Sequence, residues 1–242
     1  MYNEVGNDDF LIIAVAQESR GPETAREFIE EANPSYLCLI DQTHQVADLY
    51  NMVNVPNAGW IDEFGKIPKK VKLLNCVGGG SSAYGLWSEF MDYDKRQISF
   101  EGIEAGGPKN SKKHAAPLSN NSKIGVLHGA AQMVCMDKFG QIAETESISA
   151  GLDYPGVSPL HCFLKDAGRA TYVSQTDEDA LNAYKLIRKL ETKINPSLEP
   201  SHAFARAIAI APKLSKDTII IINSCGDALK DKHIIKKRLG KY

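Results

Sequence analysis

Apolar residues fall into short continuous runs separated by amphipathic stretches, and this alternation predicts a succession of strands and helices. Phe10 to Ala16 is unbroken apolar sequence, the pattern of a strand covered on both faces. Pro22 to Ala32 follows with Ala25, Phe28, Ile29 and Ala32 on one face and proline at a first helical position, which predicts a helix ended by Pro34. Tyr36 to Ile40 reads as a second strand. Thr43 is placed to cap a helix striped by Val46, Leu49, Tyr50 and Val53, and Gly59 to Ile61 reads as a third strand before the turn Asp62–Gly65. Strand, helix, strand, helix, strand implies an α/β layer.

A second such series begins near Lys66. Val71 to Val77 reads as a strand running into Gly78-Gly79-Gly80-Ser81-Ser82, followed by a helix from Ala83 to about Met91 and a strand over Ile98 to Ile103. Residues 106 to 122 are polar, glycine- and lysine-containing, and read as loop. Thr176 opens a helix whose buried face is Ala180, Ala183, Tyr184, Ile187 and Leu190. Ser201 to Ala211 is an alanine-rich helix, Thr218 to Ile222 a central parallel strand, and Lys230 to Leu239 a basic helix stopped at Gly240. The fold expected is α/β throughout.

Composition narrows the function classes. With 43% hydrophobic and 24% charged residues the chain is of ordinary globular make-up, and a formal net charge of -2 gives no field drawing it to nucleic acid or an anionic membrane. No apolar run approaches the roughly 20 residues a membrane helix needs. The first residues lack the basic-then-apolar pattern of a signal peptide. Five scattered cysteines, none in a C-x-x-C pair, fit a reduced cytoplasmic protein better than a disulfide framework or zinc site. His114, His128, His161 and His202 lack metal-ligand spacing and read as packing or surface residues.

The glycine loop is the segment with the most chemistry in it. Three glycines let backbone N–H groups approach an anion without a Cβ in the way, a following helix start adds partial positive charge, and two hydroxyls add donors. It lacks the Gly-Lys-Ser/Thr of a P-loop and the G-x-G-x-x-G spacing of a dinucleotide fingerprint. By itself it reads equally as a phosphate cup or as a flexible Gly-Ser turn.

The surrounding sequence resembles the tryptophan synthase β chain over about residues 66–240. Cys76-Val-Gly-Gly-Gly-Ser-Ser-Ala83 is similar to that family's phosphate-binding segment. In the same order follow Glu101–Gly107, His114–Leu118, Gly125–Gly129, Asp137–Gln141, the highly specific Ser147-Ile-Ser-Ala-Gly-Leu-Asp-Tyr-Pro-Gly-Val157, Leu198–Ala203 and Ile222–Gly226. The resemblance implies a pyridoxal-phosphate (PLP) lyase half-domain of fold type II that joins indole to L-serine, beside an α subunit and a second β chain. It implies that Gly78, Gly79, Gly80, Ser81 and Ser82 hold the cofactor phosphate, with Ser82 in place of the family's asparagine. Glu199 falls where the family has a glutamate beside the cofactor ring, although a glutamate there also reads as an acid favoured by a helix N-terminus. Cys225 falls where a serine faces the pyridine nitrogen, a neutral partner; it reads almost as well as a small buried hydrophobe. Asp153 matches the family's closing aspartate, and otherwise reads as a turn residue. The backbone carbonyls of Gly78, Tyr154 and Gly156 match a monovalent-cation site. After Cys225 the pattern departs from the family, and only Lys230 and Asp231 rejoin it.

The family's cofactor-linking lysine stands in an HK-x-N context, and no lysine here has that context; Lys109-Asn110 lies in a Gly/Pro loop. The first 65 or so residues resemble instead a partial thioredoxin-like segment of the peroxiredoxin/TlpA type, carried by Ile12–Gln17, Glu31–Pro34, Leu39–Asp41, Leu49–Asn57 and Trp60–Gly65, with Val55–Pro56 at that family's cis-proline. Cys38 does not match its reactive cysteine, so no redox chemistry is expected of this segment. The expected organisation is thus a partial thioredoxin-like segment over 1–65 and a tryptophan synthase β-like PLP-binding domain over 66–242. The competing reading is a non-catalytic PLP- or phosphate-binding module.

Overall fold

A computed structural model describes residues 13–16, 20–33, 37–45, 70–191 and 194–240. The chain divides into two compact units, Met1–Trp60 and Ile61–Tyr242.

In the first unit, strand β1 (Ile13–Ala16), helix α1 (Pro22–Ala32) and strand β2 (Leu37–Ile40) follow the expected strand–helix–strand order, with β1 and β2 parallel from Ile13↔Leu37 to Ala16↔Ile40. Proline opens α1, and Asn33 closes it at φ 40, its N–H reaching the carbonyls of Ile29 and Glu30. Asp41 accepts the N–H of Gln45 at 2.9 Å. The expected helix over Val46–Val53, the strand Gly59–Ile61 and the Val55–Pro56 bond lie outside the described residues.

The second unit is built on a parallel sheet. Strand β3 (Lys70–Cys76) leads through the glycine loop to helix α2 (Ser81–Trp87) and then to β4 (Ile98–Ala105). A hairpin of β5 (Lys123–Leu127) and β6 (Ala130–Val134) precedes helix α3 (Pro159–Asp166) and strand β7 (Ala170–Gln175). Helices α4 (Asp177–Leu190) and α5 (Leu198–Ile210), strand β8 (Thr218–Ile222) and helix α6 (Lys232–Leu239) complete it. The sheet order is β7-β4-β3-β8, with each neighbouring pair parallel.

Alternation along the strands divides the core between the two faces of the sheet. Val71, Leu73, Ile98 and Phe100 pack with Ala83, Trp87, Leu118 and Leu164. On the other face Leu74 and Ile103 pack with Ala203 and Ile210 of α5. Trp87 stacks on Phe100 with ring centroids 5.1 Å apart, and both are essentially inaccessible, so truncating either aromatic to alanine costs about 3–5 kcal/mol. Glu101 is buried on the α5 side, yet it is paired: Lys72 Nζ lies 2.6 Å away and Arg206 bonds its other oxygen. That triad ties β3, β4 and α5 together and leaves no bare charge in the core.

The structure departs from the sequence reading in three respects. Helix α5 starts at Leu198 rather than Ser201, because the carboxylate of Asp231 accepts the Leu198 N–H at 2.7 Å and caps the helix from across the fold. Strand β8 lies at an end of the sheet among the described residues, not at its centre, and all five of its residues are half-buried. A β-branched run reports covered faces, not the number of paired edges. The hairpin β5–β6, helix α3 and strand β7 had no assigned element.

Candidate cofactor site

The glycine loop joins the C-terminal end of β3 to α2, and its shape follows from what presses on it. A Cβ on Gly78 would overlap the carbonyl oxygen of Gly151, and one on Gly80, at φ 103, would overlap the ring of His161. At Gly79 a Cβ would meet nothing within 4 Å. Two glycines are therefore demanded by packing beneath the loop, while the third faces open space. Gly80 is the N-cap of α2 without a side-chain cap, so the first N–H groups of the helix are not taken by a capping side chain. Ser158, on the loop before α3, donates its N–H to the carbonyl of Gly79 at 3.0 Å and fixes the loop against the 149–158 segment.

His161 supports the loop from below. Its Nε2 lies 2.8 Å from the Gly80 carbonyl and its Nδ1 2.8 Å from the Tyr172 hydroxyl. The carbonyl only accepts, so Nε2 carries the proton and Nδ1 accepts from Tyr172, a neutral imidazole. Burial holds its pKa below the ordinary histidine value despite the Gly80 bond, which agrees with that tautomer.

One side of the loop is lined by amides and thiols. Ser82 Oγ accepts from Asn75 Nδ2 and Asn223 Nδ2, each at 3.2 Å. Cys225 Sγ lies 3.4 Å from Cys76 Sγ. The hydrogen bond from the Cys76 thiol, opposed by burial and helped by Ser82, brings Cys225 down to about 6; the same contact, and then burial, push Cys76 up. Cys225 is thus more acidic than the neutral partner expected from sequence.

Glu199, at the start of α5, comes to the same place. Its Oε1 accepts the Gly151 N–H at 2.9 Å and its Oε2 accepts from Lys230 Nζ at 2.7 Å. Burial raises its pKa, but the bonds from Lys230, Ser197 and Gly151 outweigh it, and the carboxyl ends below its ordinary value. Lys230 also bonds Asp231 at 2.7 Å and is held protonated by the two carboxylates against its partial burial. Gly226 has φ 86, and a Cβ there would meet Ser197 Oγ at 2.5 Å and Glu199 Oε2 at 3.3 Å, so the chain after Cys225 is pressed against the helix start.

The fold therefore gathers the glycine loop, Cys225 and Glu199 from distant segments. Asp153 is exposed on the turn of 149–153, its N–H bonded to the Ser149 carbonyl. Tyr154 and Gly156 lie on that same segment, whose Gly151 abuts Gly78. Lys109 is in an exposed loop, its N–H bonded to Glu178 at 2.9 Å. His202 and His161 are buried, His114 is half-buried and His128 stacks on Tyr154; among the described residues no group of three metal-ligating side chains occurs.

Several residues of this region had no role assigned from sequence. Glu104 is fully buried in β4 and accepts the N–H groups of Leu118 and Ser119 at 3.0 and 2.7 Å; burial pushes it up to about 7 against those bonds. The supporting role of His161 and the Lys230–Glu199 pair depend on contacts spanning many residues, and local pattern carries no signal of them.

The chain is similar to tryptophan synthase β chains. One from Rhodopseudomonas palustris (strain BisA53) is 46% identical over 176 residues, 73% of this chain and 42% of the relative. Another from Chromobacterium violaceum is 39% identical over 227 residues, 87% of this chain and 56% of the relative. The chain spans about half the length of the curated relatives it matches. A solved L-serine ammonia-lyase from the fungus Rhizomucor miehei aligns over 93% of this chain and 74% of its own at 14% identity and a TM-score of 0.49, a likeness too distant to bear on activity. No family model matches the chain.

Proposed function

We propose that the second unit carries the phosphate-binding part of a tryptophan synthase β-type PLP site. The observation behind this reading is the meeting of the glycine loop, Cys225 and Glu199, which lie far apart in sequence and correspond to the cofactor-facing segments of the resemblance. The local chemistry fits the group. Gly79 leaves room on the open side of the loop, where a Cβ would meet nothing, and N–H groups and the Ser81 hydroxyl are donors suited to a phosphate. Gly78, Gly79, Gly80, Ser81 and Ser82 would hold the phosphate, and Cys225 would face the pyridine nitrogen. PLP, when bound, supplies an electron sink for charge developing at the Cα of an amino-acid substrate.

Within that reading Glu199 keeps its proton off at neutral pH, because Lys230, Ser197 and Gly151 all donate to it. A carboxylate so placed accepts a proton at Oε1 or Oε2 from a group beside the cofactor. Asp153, exposed on its turn, is free to engage a partner in closing. The carbonyls of Gly78, Tyr154 and Gly156 would take a monovalent cation. The substrates would be L-serine and indole, with an α subunit and a second β chain as partners.

The lysines favour a second, narrower reading for this chain on its own. Lys230 is the lysine bonded to Glu199, and it is held as an ammonium by two carboxylates, which removes its lone pair from nucleophilic use. Lys109 stands in an exposed loop held to the start of α4 by its backbone N–H. This chain alone would then hold PLP through its phosphate without a covalent link, as a binding module. The first unit, with a parallel β1–β2 pair bridged by α1 and Cys38 in mid-strand, suits a redox-inactive thioredoxin-like segment.

Tryptophan formation from indole and serine separates the two readings. The account expects none from the chain alone, and activity when a fragment supplying the family's lysine-bearing half is added. Turnover by the isolated chain, abolished by replacing one of its lysines, would overturn this reading.

A further inference from the structure

Cys76 and Cys225 are 149 positions apart in sequence, yet their sulfurs lie 3.4 Å from each other. The sheet brings them there. Strands β3 and β8 run parallel with Leu74 paired to Ile222, so both chains leave the sheet at the same end, Cys76 as the last residue of β3 and Cys225 just beyond β8. Their accessibilities are unequal: Cys76 is 4% exposed, whereas Cys225 is half-buried. The other thiols of this unit have different neighbours. Cys135 Sγ lies 3.8 Å from His114 Nδ1, and Cys162 Sγ accepts the Met133 N–H at 3.3 Å. The proposed cofactor role uses one group at position 225 and gives no task to a second sulfur beside it.

We propose that Cys76 and Cys225 form a reversible oxidation site that closes to a disulfide on reaction with hydrogen peroxide. A disulfide has an S–S distance of about 2.05 Å, so the sulfurs must approach by roughly 1.4 Å, within reach of side-chain rotation at two strand ends. Cys225 is the thiol that solvent reaches, and it reacts first. Its thiolate sulfur attacks one peroxide oxygen and breaks the O–O bond; the other oxygen leaves as hydroxide and takes a proton to become water. Cys225 is then a sulfenic acid. The Cys76 sulfur attacks the Cys225 sulfur, the S–O bond breaks, and the hydroxide leaves with the Cys76 proton as a second water. Two thiols and one peroxide become one disulfide and two waters, with two electrons passing from sulfur to oxygen. A small dithiol reverses the bond.

Closing the bond removes the Cys225 thiol from the side of the glycine loop. Its bearing on PLP rests on the proposed function, but the oxidation itself does not.

The test uses the full chain, fully reduced and then treated with equimolar hydrogen peroxide, followed by alkylation and peptide mapping. The expected result is joint loss of both thiols with a peptide linking positions 76 and 225, restored by dithiothreitol. In Cys76→Ser, Cys225 should stop at a sulfenic acid trapped by dimedone; in Cys225→Ser, Cys76 should remain a thiol. Oxygen adducts without a linked peptide, or equal oxidation of Cys76 in the Cys225→Ser chain, would overturn the proposal. Replacing Cys38, Cys135 and Cys162 by serine simplifies the map, and the unaltered chain gives the same linked peptide if that variant folds poorly. A linked peptide in a chain that binds no PLP in either state would remove the cofactor reading while supporting the oxidation site.

Discussion

The imidazole of His161 occupies the space that a Cβ on Gly80 would need, and its Nε2 lies 2.8 Å from the Gly80 carbonyl. A residue of α3 thereby dictates glycine at the start of α2 and fixes where the open side of the loop lies. Gly80→Ala must escape both φ 103 and that overlap, so it should lower stability by about 1–3 kcal/mol. Gly79→Ala, with open space around it, should stay within about 0.5 kcal/mol of the parent. Urea denaturation of the two variants checks the contrast, and equal losses would contradict it.

The same openness makes Gly79 the cleanest position at which to test the anion. Gly79→Asp places a carboxylate among donors arranged for a negative group without crowding any neighbour. Inorganic phosphate and PLP affinity should fall below detection by calorimetry while the urea midpoint is retained. Undiminished affinity would remove the loop as the anion site.

Lys230 is a single ammonium shared by Glu199 and Asp231, and Lys230→Met should expose the cost of losing it. The Lys230 side chain is 37% exposed, so solvent screens the loss to about 1–2 kcal/mol at neutral pH. The sign of the pH dependence is set by Glu199. In the parent its folded pKa lies below the ordinary value, so it adds stability at neutral pH that is lost as pH falls. Without Lys230 the main bond lowering its pKa is gone while the burial that raises it persists. The difference between variant and parent should therefore shrink on acidification toward pH ~4. A difference independent of pH would contradict the pairing.

How far the sequence carried this picture depends on whether a feature is local. Helix α4 was legible because Thr176 and Asp179 form its capping box and Ala180, Ala183 and Tyr184 repeat at helical spacing on its buried face, although Leu190, read onto that face, is 62% exposed. Helix α1 was legible for the same kind of reason, with proline opening it. Strand β7 was not, because Thr171, Ser174 and Gln175 interrupt its apolar character and only pairing with β4 makes it a strand. The cue for α3, Ser158 followed by Pro159, was present, and Ser158 does accept the Leu160 N–H at 3.3 Å. The start of α5 was hidden because its cap, Asp231, is supplied from beyond β8. Among the proposed site residues, the composition of the glycine loop left a phosphate cup and a flexible turn equally open, and Glu199 and Cys225 were named only through resemblance. Their neighbours Cys76, His161 and Lys230 became meaningful only once the sheet had brought the segments together.

Glu104 offers a test of the buried interior beside the site. Its folded pKa, pushed up to about 7 by burial, exceeds the ordinary glutamate value of about 4.3. The folded protein then binds this proton more tightly than the unfolded chain, so its contribution to stability is full at low pH and falls as pH rises through that window. Glu104→Gln removes the titration while keeping one acceptor for the Leu118 and Ser119 N–H groups. Between pH ~4.5 and ~7 the parent should lose about 3 kcal/mol more than the variant, read from urea midpoints across that range. Parallel curves would show that Glu104 does not titrate there.

The central claim is that the loop from Gly78 to Ser82 binds PLP through its phosphate. Calorimetric titration of PLP into the reduced full chain, repeated in excess inorganic phosphate, addresses it most directly. The account predicts saturable one-site binding that phosphate weakens competitively. Absence of saturable binding, or binding indifferent to phosphate, would contradict it.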